Sequence, residues 1–163
     1  MKNVLFLCTG NSARSILAEA ILAQDGAGRF QSFSAGSKPK GVPHWAALQL
    51  LSSKGHDISG LRSKSWDEFT GPIAPKIDFV FTVCGNAAKE TCPVWVRHPM
   101  QAHWGIEDPA DATGTREEVM AAFETAYRQM KDRIAAFLHL PLATLTAPQL
   151  KQQLNQIGQH HVQ

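Results

Sequence analysis

The amino-terminal 25 residues constrain the fold most strongly, because a strand-like run, a tight loop and a helical pattern follow one another without interruption. Residues 3–7 are almost entirely apolar, as expected for a strand that is buried on both faces. Turn-forming residues occupy positions 8–12, and apolar residues then recur at helical spacing through residues 13–24. The sequence therefore predicts a strand whose carboxyl end leads directly into the amino end of a helix.

Strand and helix patterns continue to alternate along the rest of the chain. Further strands are predicted at residues 30–35, 78–83 and 102–104. Helices are predicted at residues 42–54, 66–69 and 115–138, and a short terminal helix is predicted to carry Leu150, Leu154 and Ile157. The connections are long enough for crossovers. This pattern indicates an α/β fold, a single-domain three-layer sandwich with a small parallel sheet of about four strands and helices on both faces.

Local signals predict where the helices begin and end. Pro43 falls in the first turn of the helix at residues 42–54, and Gly55 is expected to stop that helix in a left-handed conformation. Thr115 and Glu118 have the spacing of a capping box at the start of the longest helix. The polar tail at residues 158–163 is predicted to be disordered.

Length and composition limit the classes of protein to which this chain can belong. Its 163 residues are predicted to form one domain at residues 1–140, followed by an extension at residues 141–163 with a short helix and the polar tail. Sixteen basic and 14 acidic residues give a net charge of +2, without the electrostatic footprint of a nucleic-acid-binding or membrane-binding protein. The amino-terminal apolar run is too short for a signal peptide or a membrane span, so a cytoplasmic protein is predicted.

The loop after the first strand carries the strongest chemical signal. Backbone N–H groups that converge at a helix N-terminus make a cradle for a tetrahedral oxyanion, and Arg14 can grip two oxygens of that anion. Cys8 lies at the base of this positive field, so its pKa is expected to be lowered, and Ser15 is expected to donate a hydrogen bond to its sulfur. The alternative is an inert structural cysteine, but the flanking strand, helix and glycine favour a nucleophile. The predicted oxyanion-binding residues are Thr9, Gly10, Asn11, Ser12, Ala13, Arg14 and Ser15.

Several motifs resemble those of a known family. The run V-L-F-L-C-T-G-N-S-A-R-S at residues 4–15, the S-A-G at 34–36 and the D-P at 108–109 resemble the low-molecular-weight protein tyrosine phosphatase fold. Within that fold, V-C-G-N at residues 83–86 and A-H-W-G at 102–105 resemble the arsenate reductase branch. The resemblance implies Cys8 as the nucleophile and Asp108 as the general acid that protonates a leaving oxygen. By itself, an aspartate before proline is more often only a turn residue.

The remaining cysteines separate a reductase from a phosphatase. Phosphatases of this family usually carry an aromatic residue after the D-P pair, where this chain has Ala110, and they need no second thiol. If the first and third strands are parallel neighbours, Cys84 lies beside Cys8 at the carboxyl edge of the sheet. An arsenate reductase is therefore predicted, with Cys84 attacking Cys8 and Cys92 then attacking Cys84. The alternative function is a low-molecular-weight protein tyrosine phosphatase.

This relay implies a reductant and a change of structure. The expected partners are arsenate as substrate and thioredoxin, glutaredoxin or a small thiol as reductant. Cys84 and Cys92 are eight positions apart, too far for a disulfide in a helix or an extended strand. Residues 84–92 are therefore expected to refold when the disulfide forms.

No metal or other cofactor is predicted. A zinc site formed by Cys84, Cys92, His98 and His103 was weighed, but the C-x7-C spacing lacks the close cysteine pairs of usual zinc sites. Some members of the family hold a structural cation with residues that match Asn11, Glu19 and Ser34 and a further carboxylate. That carboxylate falls at Lys64 here, so the lysine ammonium is expected to take the place of the cation.

Overall fold

A four-stranded parallel sheet forms the centre of the computed structural model, which describes residues 1–84 and 99–159. The strands lie in the order β2-β1-β3-β4, and every neighbouring pair is parallel. They are β1 (Lys2–Cys8), β2 (Phe30–Gly36), β3 (Phe79–Thr82) and β4 (Met100–His103). Both faces of β1 are fully buried, as its continuous apolar run predicts. The predicted parallel α/β sheet is confirmed.

Helices cover the sheet and share its larger hydrophobic core. In the described part of the chain they are α1 (Arg14–Asp25), α2 (Trp45–Ser53), α3 (Arg116–Leu138) and α4 (Ala147–Gln159), with short 3-10 helices at Trp66–Phe69 and Pro109–Asp111. Val4 and Phe6 face this core, whereas Leu5 and Leu7 face a smaller cluster that contains Phe69. Among the described helices, none is long and apolar enough to cross a membrane.

The long helix α3 agrees closely with its predicted pattern. The hydroxyl of Thr115 accepts a hydrogen bond from the N–H of Glu118, and the Glu118 carboxylate accepts one from the N–H of Thr115, so the capping box is present. Its buried stripe reaches from Phe123 to Phe137 and packs against the sheet. The predicted helix end at Gly55, which has a φ of +85°, is also confirmed.

The predicted start of α2 is three residues too early. Pro43 lies before the helix, and the Nδ1 atom of His44 caps it by accepting the N–H of Ala46 at 3.0 Å. The N–H of His44 donates to the carbonyl of Ser12 at 2.8 Å. This bond ties the segment before α2 to the loop after β1, so the chain stays extended through His44.

The carboxyl-terminal helix is longer than predicted. Helix α4 continues through Gly158 to Gln159, so the disorder expected from residue 158 onward is wrong for these two residues, while residues 160–163 lie outside the described part. Its Leu154 and Ile157 side chains are buried in the main core. This burial holds the end of the helix, a contribution that a polar tail sequence does not reveal.

Candidate active site

The carboxyl edge of the sheet brings two thiols together. Cys8 is the last residue of β1, and Cys84 follows the end of the adjacent parallel strand β3. Their side chains are in hydrogen-bonding contact, and the Thr9 hydroxyl lies 3.6 Å from the sulfur of Cys84. Both cysteines are buried, with exposed fractions of 6% and 2%. The predicted juxtaposition of Cys8 and Cys84 is therefore confirmed.

Backbone hydrogen bonds orient the loop between β1 and α1. The carbonyls of Thr9 and Gly10 accept the N–H groups of Lys38 and Lys40 at 2.9 and 3.0 Å, just as the Ser12 carbonyl accepts that of His44. In a trans peptide, the N–H points away from the carbonyl. The carbonyls of Thr9, Gly10 and Ser12 point toward residues 38–44, so the N–H group of the residue after each of them points to the opposite side. One of them, on Gly10, bonds to Cys8.

The N-terminus of α1 adds further donors to this loop. Ala13 is its N-cap, and no side chain caps the helix there. The first N–H groups of a helix have no partner within the helix and carry a partial positive charge. The loop and the helix end therefore form a cradle of N–H groups beside Cys8, which fits a tetrahedral oxyanion.

Asn11 holds the loop in its turn. Its φ of +44° is left-handed, a conformation that asparagine tolerates better than most residues, and its side chain is fully buried. The side-chain amide donates to the hydroxyls of Ser15 and Ser34 at 2.8 and 3.0 Å, and its oxygen accepts the N–H of Lys64 at 2.9 Å. The bond recorded for the Ser15 hydroxyl is thus with Asn11, whereas the sequence predicted one with the sulfur of Cys8.

Gly36 allows β2 to approach the loop closely. A Cβ atom at this position would overlap the carbonyl oxygen of Thr9 and lie 2.8 Å from that of Cys8. Real side chains do not tolerate such contacts, so only glycine fits this end of β2. The glycine of the S-A-G motif therefore has a steric role beside Cys8.

Arg14 bridges the cradle and the segment that carries Asp108. One guanidinium nitrogen lies 3.2 Å from Oδ2 of Asp108, and another donates to the carbonyl of Ile106 at 3.0 Å. The Oδ1 atom of Asp108 accepts the N–H of Ala110 at 3.0 Å and caps the 3-10 helix that follows. Asp108 is thus both a turn residue and a neighbour of the cradle.

The pKa of Cys8 is raised, which corrects the lowered value predicted from the sequence. The adjacent Cys84 thiol and burial raise it, while the Arg14 guanidinium and the N–H of Gly10 lower it. The Cys8 thiol therefore holds its proton more strongly than the thiol of a free cysteine does.

A buried lysine lies behind the loop. The ammonium of Lys64 is 3.6 Å from Oε1 of Glu19, and the same oxygen accepts the Ser34 hydroxyl at 2.5 Å. Burial raises the pKa of Glu19 and lowers the pKa of Lys64, and each charge opposes the shift of the other. Of the residues that match the family's cation ligands, only Glu19 supplies a carboxylate, and that carboxylate pairs with the Lys64 ammonium. The lysine expected to replace the cation therefore lies beside Glu19, while its role as a substitute stays a prediction.

Two residues near the cradle received no role from the sequence. The side chain of Lys40 lies over Gly10, where a Cβ atom would be 3.2 Å from it. The His44 ring packs against Phe123 at 4.7 Å, and burial and the charge of Lys40 lower its pKa while Asp108 raises it. These contacts place both residues at the rim of the site. The K-P-K-G-V-P-H run gave no local sign of this proximity.

Part of the sequence prediction lies outside the described residues. Cys92, His98 and all of residues 84–92 after Cys84 are in the segment that the structure does not describe. Of the four residues weighed for zinc, His103 hydrogen-bonds to the Thr82 hydroxyl at 2.8 Å. Over residues 1–84 and 99–159, no group of three or more histidine, cysteine, aspartate or glutamate side chains could hold a metal ion.

Comparison with known proteins identifies the family. The model of the low molecular weight phosphotyrosine protein phosphatase family matches residues 3–153, and the chain belongs to this family. An arsenate reductase of Bacillus subtilis is 37% identical over 137 residues, covering 83% of this chain and 94% of that protein. An arsenate reductase of Oceanobacillus iheyensis is 38% identical over 141 residues, with the same coverage of both chains.

Solved structures show the same likeness. A structure of an arsenate reductase in the phosphate binding state matches with a TM-score of 0.69 and 29% identity, covering 85% of this chain and 97% of that one. A thioredoxin-dependent arsenate reductase of Corynebacterium glutamicum matches with a TM-score of 0.59 and 22% identity, covering 85% of this chain and 62% of that one, and supports the fold alone.

The raised pKa of Cys8 leads to a first prediction. Replacing Cys84 with alanine removes the neighbouring thiol, so the pKa of Cys8 should fall and its alkylation by iodoacetamide should begin at lower pH. Replacing Arg14 with glutamine should move the pH midpoint of Cys8 alkylation to a higher value. Peptide mass mapping of Cys8 over a pH series measures both shifts. An unchanged or raised midpoint in Cys84→Ala contradicts this account of the site.

The Lys64–Glu19 pair leads to a second prediction. Lys64→Met leaves a buried carboxylate without its counter-charge, which should lower the free energy of unfolding by about 3–5 kcal/mol near neutral pH. The pKa of Glu19 should rise further in this variant. A carboxyl whose pKa is raised in the folded state destabilises the protein increasingly as the pH rises and the carboxyl ionises. The loss of unfolding free energy in Lys64→Met, relative to the wild type, should therefore be larger at high pH than at low pH.

Urea unfolding at several pH values measures this deficit. Adding Glu19→Gln to the Lys64→Met variant should recover most of the loss. Lys54→Met is the matched control, because Lys54 and Glu124 form a solvent-accessible pair at 2.8 Å, and removal of this lysine should cost at most about 1 kcal/mol. Equal losses in the two lysine variants would show that the buried pair has no special role.

Proposed function

We propose that this chain reduces arsenate to arsenite, with Cys8 as the nucleophile and the two electrons supplied by its own thiols. The observation that carries the proposal is the second buried thiol, Cys84, in contact with Cys8 beside an oxyanion cradle. Hydrolysis of a covalent intermediate needs only water, whereas reduction needs a second thiol. The curated arsenate reductases with 37–38% identity support the same activity.

The first step joins the nucleophile to arsenic. The N–H cradle and Arg14 bind arsenate, which displaces Asp108 from the guanidinium. Cys8 gives its thiol proton to the displaced Asp108 carboxylate, and the resulting thiolate attacks arsenic. Asp108 then passes that proton to an arsenate hydroxyl, which leaves as water as the arsenic–oxygen bond breaks. Binding of the anion by Arg14 and the loop compensates for the burial of charge at the base of the site.

The second step transfers the electrons. The Cys84 thiolate attacks the sulfur of Cys8, a sulfur–sulfur bond forms, and the sulfur–arsenic bond breaks with its electron pair remaining on arsenic. Two thiols are oxidised to a disulfide while arsenic goes from the +5 to the +3 state and leaves as arsenite. Because the two thiols are already in contact, this attack needs little movement of either strand.

The third step regenerates the nucleophile. Cys92 attacks Cys84, which releases Cys8 as a thiolate and leaves a disulfide between Cys84 and Cys92. The Cys84–Cys92 disulfide is then reduced by a dithiol protein of the thioredoxin type, by glutaredoxin or by a small thiol. Such a cycle requires a reducing compartment, so we place the protein in the cytoplasm.

A pair of assays tests this function against phosphatase activity. Purified protein should release arsenite with thioredoxin and its reductase, and the same assay with glutathione and glutaredoxin identifies the alternative donor. Turnover of p-nitrophenyl phosphate in parallel should be slow, because Ala110 supplies no aromatic wall after the D-P pair. Rapid release of p-nitrophenol with no arsenite from any donor would instead establish the phosphatase.

The nucleophile and the oxyanion grip give a third prediction. Cys8→Ser should abolish arsenate reduction and leave the fold intact, because a hydroxyl ionises far less readily than a thiol. Arg14→Lys should lower kcat/KM by about 100-fold or more, since a point charge cannot reproduce the planar grip. Arg62→Lys is the control, because Arg62 is exposed and paired with Glu68. Near-native turnover by Cys8→Ser or Arg14→Lys would refute the assignment.

The order of the relay gives a fourth prediction. Cys84→Ser should permit attack on arsenate but form no disulfide with Cys8. Cys92→Ser should complete one turnover and accumulate the Cys8–Cys84 disulfide, because no third thiol resolves it. Mass mapping of non-reduced peptides after exposure to arsenate distinguishes these species. A Cys8–Cys92 disulfide in Cys84→Ser would show that the order of the two resolving cysteines is reversed.

A further inference from the structure

Helix α4 makes unusually close contact with the end of β4. A Cβ atom on Gly158 would overlap the carbonyl oxygen of His103 and lie 2.9 Å from Cδ1 of Trp104. The indole N–H of Trp104 donates to the carbonyl of Leu154 at 3.0 Å, and both side chains are fully buried. The Lys151 ammonium donates to the carbonyl of Gln101 on the same strand. Helix α4 is thus joined to β4 along two of its turns.

Trp104 is in turn fixed to the centre of the sheet. Its ring stacks on Phe81 of β3, with centroids 3.8 Å apart and planes inclined by 9°. Its backbone N–H donates to the carbonyl of Thr82 at 2.7 Å. The buried Arg133 of α3 donates to its carbonyl at 3.4 Å. Trp104 therefore has contacts with three elements at the point where the chain leaves β4.

The segment that begins at Trp104 leads directly into the active site. Two residues later, the N–H of Ile106 donates to Val83 at 3.3 Å, and its carbonyl accepts the guanidinium of Arg14. Asp108 follows after two more residues and pairs with the same guanidinium. The proposed general acid therefore lies only four residues beyond Trp104, on a stretch that is bonded to Val83 and to Arg14.

We propose that α4 is a positioning element for catalysis, with Gly158 and Trp104 as the residues that set the reach of Asp108 into the oxyanion cradle. This role rests on the proposed function, in which Asp108 protonates the leaving oxygen. Catalytic groups must be held to within about half an ångström of their productive positions. Because Gly158 has no side chain, α4 packs directly against the backbone of His103, and any side chain at position 158 would push the helix away from it.

The test introduces a single methyl group at this contact. Gly158→Ala favours the helix intrinsically, so it displaces α4 from His103 without weakening the helix itself. We expect kcat for arsenite release to fall about tenfold, because a displacement of about an ångström costs up to a hundredfold. Trp104→Phe, which keeps an aromatic ring on Phe81 but removes the N–H bond to Leu154, should lower kcat in the same direction. Thermal melts confirm that each variant is folded at the assay temperature.

Two readouts separate positioning from a general loss of structure. In the Asp108→Asn variant, adding Gly158→Ala should lower kcat little or not at all, because both substitutions act through the side chain at position 108. Alkylation of Cys8 by neutral iodoacetamide should keep its wild-type rate, since it needs no general acid. The control is Gln152→Ala on the exposed face of α4, which should retain wild-type turnover.

Each outcome decides the proposal. A wild-type kcat in both Gly158→Ala and Trp104→Phe would overturn the positioning role. The same holds if Gly158→Ala lowers kcat by its full factor in the Asp108→Asn background, or if the alkylation rate of Cys8 falls together with kcat. These results refute the positioning role alone as long as the unmodified protein releases arsenite. A wild-type protein that releases none refutes the proposed function first, and the inference falls with it.

Discussion

The parallel pairing of β1 with β3 is the constraint on which the rest of the site depends. Its register places Leu7 opposite Thr82, so the next residues of both strands leave the sheet at the same edge. Cys8 and Cys84 meet there as buried neighbours. Neither thiol alone distinguishes a hydrolase from a reductase. Their contact favours the proposed reductase, because the Cys84 thiol already lies within reach of the Cys8 sulfur and could attack it in place of water.

Near this edge of the sheet, the partly buried charged side chains are paired with side chains of opposite charge. Arg14 lies between the cradle and Asp108 and pairs with that carboxylate. Behind the loop, Lys64 balances the buried Glu19. Both pairs join segments that are far apart in the sequence. The candidate oxyanion site is therefore a product of the assembled fold, as is the raised pKa of Cys8, which follows from contact with the Cys84 thiol and from burial.

The sequence predicted those features that depend on local pattern or on parallel strand order. The buried first strand, the capping box at Thr115 and the meeting of Cys8 with Cys84 are confirmed. Features that depend on distant contacts were missed. The sign of the Cys8 pKa shift depends on Cys84 and on burial, and the helical state of residues 158–159 depends on the packing of Leu154 and Ile157 in the core. The spacing of residues in the sequence cannot predict these contacts, because they form only when α4 and the loop after β1 pack on the sheet.

The most direct test of the central claim is a single turnover without any external reductant. Fully reduced wild-type protein should be mixed anaerobically with excess arsenate, and arsenite and free thiols should be counted together. The relay predicts one arsenite per chain and the loss of two of its three thiols, with no loss when phosphate replaces arsenate. Intact thiols and no arsenite, or arsenite only after a small thiol is added, would contradict the internal relay.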